Sequence, residues 1–299
     1  MSIGLIFSGQ GAQAVGMGAS LYENSAAAKA RFDEANEILG WSLTELCFDG
    51  PEEKLTETRV CQPALYVHGC AAVEALKEQG KLPQISAAAG LSLGELTAHA
   101  IAGTYDFATG LQLVAERGRL MQEACDATEG AMASLIGGSV DAARELAKKH
   151  DVDLGNLNCP GQTVISGPKE GIAAAVADAK AAGFKMAVPL KVAGAYHSRL
   201  MQPAREAFQQ FIEGFNFKTP DMPVLTNTTG DTISEPNGIK AALVSQITSP
   251  VLWESCFRSM MAMGVQSFYE CGPGNTLAGL AKRIDKEVPV ITKGEWENL

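Results

Sequence analysis

The chain has 299 residues, 46% hydrophobic and 19% charged, with a net charge of −10. That balance excludes a disordered chain and allows a full core without metals or disulfides. The acidic total, with no run of Lys and Arg, excludes a phosphate-backbone partner, so no nucleic-acid role is expected.

Seven cysteines, odd in number and without a C-x-x-C pair, argue against a disulfide framework or a zinc knuckle. Free thiols fit a reducing cytoplasm. The N-terminus lacks a basic region and a long apolar run, and no apolar stretch reaches roughly 18 residues. A cytoplasmic chain with no membrane span is therefore expected.

The short apolar run IGLIF at 3–7 predicts a buried strand that ends in the glycine turn Ser8-Gly9-Gln10-Gly11. Helical patterns follow at 25–39 and 62–79. A small apolar strand at 86–91 leads into helices at 93–101 and 106–124. Strands alternating with helices predict an α/β fold with a mostly parallel sheet. The middle reads differently: a strand at 131–136, a helix at 139–149, the segment NLNCPGQTVISG with its strand-like TVIS (two strands about the turn CPGQ in the order that follows), a helix at 169–182 stopping at Gly183, and a strand in FKMAVPLKV. That β-α-β-β-α-β order is ferredoxin-like. Beyond it lie helices at 199–213, 238–247, 252–263 and 275–286, with strands at 224–227 and 265–270. The expected division is a large domain from 1–126 and 195–299, interrupted by a ferredoxin-like small domain at 127–194. No solenoid repeat occurs.

The strongest local signal is Gly90-Leu91-Ser92-Leu93-Gly94, which fits G-x-S-x-G, the nucleophile elbow. A sharp strand-to-helix turn strains the serine backbone, and side chains on the flanking glycines would clash. The turn sets Ser92 at a helix N-terminus, where oriented N–H groups can stabilise an oxyanion. The bland alternative is a glycine turn with a serine N-cap.

Serine needs a base to act as a nucleophile. His68 and His99 fall in helical patterns, and His150 lies among Lys148, Lys149 and Asp151. His197, in GAYHSRLM between a strand and a helix, is the best placed. No acid convincingly completes a triad. Asp151 and Asp153 lie in the inserted module, so a neutral carbonyl is left to fix the imidazole tautomer. Arg117 sits on the flank of the apolar stripe of 106–124, and from the pattern alone a buried ion pair is the simpler reading.

These residues together carry a resemblance. FSGQGAQ, FDGPEEKLTET, QPAL, GLSLGE, ERGRLM, QTVISG, AYHSRLM, QITSPVLW and CGPGNTLAGL follow one another along the chain. In that order they resemble the malonyl-CoA:acyl carrier protein transacylases, the acyltransferases of bacterial fatty-acid synthesis.

The resemblance implies an α/β-hydrolase-like large domain with a ferredoxin-like small one, and a site in the cleft between them. It implies Ser92 as the acyl-accepting nucleophile and His197 as its base. The Gln246 backbone carbonyl would orient His197, and the N–H groups of Gln10 and Leu93 would form the oxyanion hole. Arg117 would bind the malonyl carboxylate, which displaces the ion-pair reading. Gln62 and Asn158 would line the cleft.

Two positions depart from the family's usual pattern. Leu91 stands where relatives have His, beside the acyl pocket. Tyr196 stands where malonyl-using relatives have Phe. The implied substrates are malonyl-CoA and phosphopantetheinylated acyl carrier protein. No metal or cofactor is implied, and the chain is expected to act as a monomer. A basic rim for an acidic carrier is expected at Lys185, Lys191 and Arg199. The rival readings are a serine hydrolase or thioesterase on the same elbow and an acyltransferase serving a polyketide synthase.

Overall fold

A computed structural model describes residues 2–299 of the chain. The first part runs β1 (Ile3–Phe7), α1 (Ala19–Asn24), α2 (Ala26–Leu39), α3 (Leu43–Phe48), α4 (Glu52–Thr56), α5 (Thr58–Glu78), β2 (Ile85–Gly90), α6 (Leu93–Ile101) and α7 (Phe107–Asp126). Then come β3 (Gly130–Ile136), α8 (Val140–Lys149), β4 (Asp153–Cys159), β5 (Gln162–Pro168), α9 (Lys169–Asp178) and β6 (Met186–Pro189). The chain closes with α10 (Gln202–Ile212), α11 (Pro236–Gln246), α12 (Trp253–Ala262), β7 (Ser267–Glu270), α13 (Thr276–Ile284) and β8 (Val290–Thr292).

Two sheets result. The first has the order β2-β1-β7-β8 and is parallel throughout. Every residue of β1 is buried, as a strand covered on both faces requires. The second has the order β4-β5-β3-β6 and is antiparallel throughout. Helices α8 and α9 cover one of its faces, where Ala133, Leu135 and Ile165 pack with Leu146, Ile172 and Phe184. The two-residue period turns Met132 and Val164 to the other face, where they join the main core. The α/β architecture, with a parallel sheet and a ferredoxin-like antiparallel one, agrees with the alternation of patterns in the sequence.

The second sheet is stitched by backbone to the closing part of the chain. Leu157 N–H donates to Val251 O and Val251 N–H to Gly155 O, each at 2.8 Å. Val251 lies five residues after Gln246, so β4 is tied close to the end of α11.

Some elements differ from expectation. Residues 224–227 form no strand: Val224 and Leu225 make only single bridges, to Ala88 and Thr232. The backbone turns back at once, with Gly230 N–H donating to Thr226 O at 2.9 Å. Helix α9 stops at Asp178 rather than 182, and Gly183 then takes a left-handed φ of 91°. Helix α5 starts at Thr58 and runs through Pro63. Helices α1, α3 and α4 were not predicted, because five or six residues are too few to display a 3.6-residue period. Among the described residues no helix is long and apolar enough to cross a membrane.

Candidate active site

Ser92 occupies the turn between β2 and α6 with φ 56° and ψ −109°. A non-glycine residue held there costs about 1–3 kcal/mol and persists only where its surroundings over-determine it. Here the surroundings do so by close packing. A Cβ on Gly90 would lie 1.8 Å from the Gly94 carbonyl carbon, and one on Gly94 would lie 2.3 Å from Phe7 O. The two glycines of the motif thus let α6 sit directly on the ends of β1 and β2. Asn227 locks the turn from behind. Its Oδ1 accepts the Ser92 N–H at 2.7 Å and its Nδ2 donates to Gly90 O at 2.8 Å.

His197 also has a left-handed backbone, φ 58°. The turn is pinned on both sides: Ser166 Oγ donates to Tyr196 O at 2.6 Å and Ser198 Oγ to Ala195 O at 2.7 Å. The imidazole Nε2 lies 2.8 Å from Ser92 Oγ, and Nδ1 lies 2.8 Å from Gln246 O. A carbonyl can only accept, so Nδ1 carries the hydrogen and Nε2 of the neutral ring offers its lone pair to the serine. Burial, aided by the charge of Arg117, pushes this imidazole down to about 4. It is therefore neutral at pH 7.

Arg117, on α7, is only 1% exposed. Its Nη1 donates to Gln62 Oε1 at 2.7 Å, and its Nη2 donates to Gln246 Oε1 at 2.8 Å and to Ser92 Oγ at 3.2 Å. The buried ion pair that the helix pattern suggested is absent among the described residues. Every partner is an uncharged oxygen. Burial lowers the guanidinium to about 10, which leaves it charged at neutral pH.

Gln10, Gln62, Leu91, Ser92, Leu93, Arg117, Asn158, Tyr196 and His197 line one cleft of about 200 Å³, closed on the far side by Met132, Val164, Leu190 and Val192. Gln246 lies beneath it, fully buried. The backbone N–H groups of Gln10 and Leu93 donate to no protein oxygen among the described residues. The Tyr196 hydroxyl meets Thr58 Oγ1, and Gln10 Nε2 reaches both, at 3.2 Å to Thr58 and 3.3 Å to Tyr196. A larger groove of about 640 Å³, lined by Trp41, Leu46 and Phe211 among others, contains no serine, cysteine or histidine.

The sequence reading missed Asn227, Glu95 and Thr58. Glu95 is fully buried one turn into α6, and burial raises its carboxyl above the ordinary range. Its position in GLSLGE was a usable signal: an acid on a helix whose neighbours are all buried needs partners. Of the proposed basic rim, Lys185 and Lys191 are exposed. Arg199 is instead engaged by Asp151 at 2.7 Å and Asp153 at 3.6 Å.

The acyl transferase domain family matches residues 5–291. A malonyl CoA-acyl carrier protein transacylase of Bacillus subtilis is 41% identical over 302 residues, covering 99% of this chain and 95% of the relative. The crystal structure of an acyl carrier protein S-malonyltransferase from Vibrio cholerae superposes with a TM-score of 0.94 at 40% identity, covering 98% of this chain and 96% of that one. A malonyl-transacylase solved in complex with its type II polyketide-synthase acyl-carrier protein gives a TM-score of 0.95 at 37% identity, over 100% and 97% of the two chains.

Proposed function

The chain belongs to the acyl transferase domain family, and we propose that it transfers the malonyl group of malonyl-CoA to the phosphopantetheine thiol of acyl carrier protein, for fatty-acid synthesis. The observation that carries the malonyl assignment is Arg117. It is a buried cation held only by neutral oxygens, with Nη2 3.2 Å from Ser92 Oγ. A guanidinium so placed is a ready partner for a carboxylate on the acyl group.

The reaction is ping-pong. Ser92 Oγ attacks the thioester carbonyl as its proton passes to His197 Nε2. The oxyanion is held by the N–H groups of Gln10 and Leu93, which have no competing partner. Collapse breaks the C–S bond, and the CoA sulfur leaves with the proton from His197. The carrier thiol then repeats the sequence on the malonyl-serine, giving its proton to His197 and restoring Ser92. The Gln246 carbonyl keeps His197 in the required tautomer throughout. No step calls on a metal or cofactor, and one chain supplies every group, so the proposed working unit is a monomer; its seven unpaired cysteines favour the reducing cytoplasm as its place. Acetyl-CoA would leave Arg117 unpaired and is disfavoured. Lys185 and Lys191 are the proposed basic contacts for the acidic carrier.

A polyketide carrier is the second reading, supported by the solved complex of a 37% identical relative. The test is intact-protein mass after brief exposure to malonyl-CoA or acetyl-CoA. Wild type is expected to gain one malonyl group, Ser92→Ala none, and Arg117→Ala to malonylate about 100-fold more slowly or worse. Equal labelling of Ser92→Ala would overturn the mechanism. Release of CoA without labelling would favour a thioesterase. Offering the malonylated enzyme a fatty-acid and a polyketide carrier then separates the two readings.

A further inference from the structure

Glu95 is not among the residues that line the cleft, yet it holds the group on which the cleft depends. Its Oε2 accepts two hydrogen bonds, from the Asn227 backbone N–H at 2.8 Å and from Gln246 Nε2 at 2.7 Å. Gln246 is then committed. With Nε2 turned to Glu95 it also donates to Ser92 O at 3.0 Å, while Oε1 faces Arg117 at 2.8 Å. The same residue's backbone carbonyl takes His197 Nδ1.

A primary amide has two orientations of nearly equal shape. The reverse one would set the Gln246 NH2 against the Arg117 guanidinium, donor against donor. It would also bring its oxygen against a carboxylate and a carbonyl. In a fully buried site each such mismatch is costly. A carboxyl at 95 therefore dictates which end of the amide meets the arginine. The result is a cation held by two amide oxygens and the Ser92 hydroxyl, all uncharged, with no carboxylate bonded to it among the described residues.

We infer that Glu95 is a positioning residue for acyl selectivity: by fixing the Gln246 amide it presents Arg117 to the acyl group in the geometry that favours a carboxylate. This inference rests on the acyl-transfer reading above. Glu95 meets no substrate. It acts through Gln246 on Arg117, and through Asn227 on the elbow.

The experiment compares initial rates of Ser92 acylation by malonyl-CoA and acetyl-CoA, read by intact mass, in wild type, Glu95→Gln and Glu95→Met. Glutamine keeps an oxygen for both donors, so the malonyl-to-acetyl ratio is expected to stay within about threefold of wild type. Methionine keeps the volume and removes the acceptor, and the ratio is expected to fall at least about tenfold. A merely structural role would slow both acylations alike and leave the ratio unmoved.

An unchanged ratio in folded Glu95→Met, or a Glu95→Gln variant as impaired as Glu95→Met, overturns the inference. Should Glu95→Met not fold, the exchange of Glu95→Gln with Gln246→Glu keeps every polar atom and moves the carboxyl to face Arg117. Its ratio is also expected to fall at least about tenfold, and an unchanged ratio overturns the inference. If wild type itself does not malonylate, the acyl-transfer reading fails. If wild type malonylates selectively and the variants match it, only the role of Glu95 fails.

Discussion

The two walls of the cleft are built to different tolerances. The wall built on the parallel sheet contributes Ser92, Arg117 and the underlying Gln246, and these groups bond to one another. The wall built on the antiparallel sheet contributes the apolar Met132, Val164, Leu190 and Val192 together with Asn156, Asn158 and Gln162, and none of these bonds to Ser92, His197 or Arg117. Behind the first lies a core without slack, where two glycines admit no side chain. Behind the second, strand β6 is an edge whose Met186 is 55% exposed. Chemistry that must be placed within a fraction of an ångström sits where the backbone cannot move. The facing wall only has to bound the cleft, and it is free to be soft.

The largest expected break in this contrast comes from adding one methyl group to the rigid wall. In Gly90→Ala the new Cβ meets backbone rather than a yielding side chain, so β2 and α6 must separate. A loss of at least about 3 kcal/mol is expected, seen as a lower urea midpoint. Acylation of Ser92 should be lost with it, since the turn that exposes the hydroxyl cannot form unchanged. A stable, active Gly90→Ala protein would show that the elbow is less constrained than its packing indicates.

The second test uses pH. His197 is held at about 4, below the ordinary 6.5, by burial first and by Arg117 second. A base whose folded value is depressed is protonated more readily in the unfolded chain. Its contribution therefore lowers stability as pH falls from about 6.5 towards 4, and is constant below both values. Between pH 7 and 5 this amounts to about 2 kcal/mol, and urea melts of wild type and His197→Gln should diverge in that window by that amount. His99, pushed by burial to about 3, has the same sign in both proteins and cancels in the difference. The acylation rate should be flat near neutrality and fall on an acid limb near pH 4. In Arg117→Met that limb should move to higher pH, because a neighbouring cation no longer opposes protonation. A limb near 6.5 in wild type would show that the imidazole is wetter than its 4% exposure implies.

The same contrast explains what the sequence could reveal. The elbow was legible because its requirements are local: a serine at a strained turn demands small neighbours within two residues on either side. His197 was legible by position and elimination, and the Gln246 carbonyl only through the motif that contains it. Arg117 was ambiguous on its own helix, because its partners Gln62 and Gln246 lie 55 and 129 residues away. Asn227 escaped altogether. It ends the segment VLTN that reads as a strand, whereas the segment makes only single bridges before turning. Nothing local marks it as the acceptor for an amide 135 residues earlier. Strand β4, DLGNLNC, carries a weak strand pattern of its own, because its polar residues Asn156 and Asn158 line the cleft and blunt the alternation.

The smallest effect is expected at the outer edge of the soft wall. Met186 and Val188 on β6 are 55% and 39% exposed, and neither lines the cleft. Met186→Ser and Val188→Thr should each change stability by no more than about 0.5 kcal/mol, as surface substitutions remote from packed features do. Acylation of Ser92 by malonyl-CoA should be unaltered in rate, because no group that bonds to Ser92, His197 or Arg117 reaches β6. A slower acylation in either variant would mean that the edge strand transmits strain inward through Ile136 and Ser134, the partners of Met186 and Val188 in β3. The two walls would then be one mechanical unit, and the separation of rigid chemistry from a soft boundary would not hold.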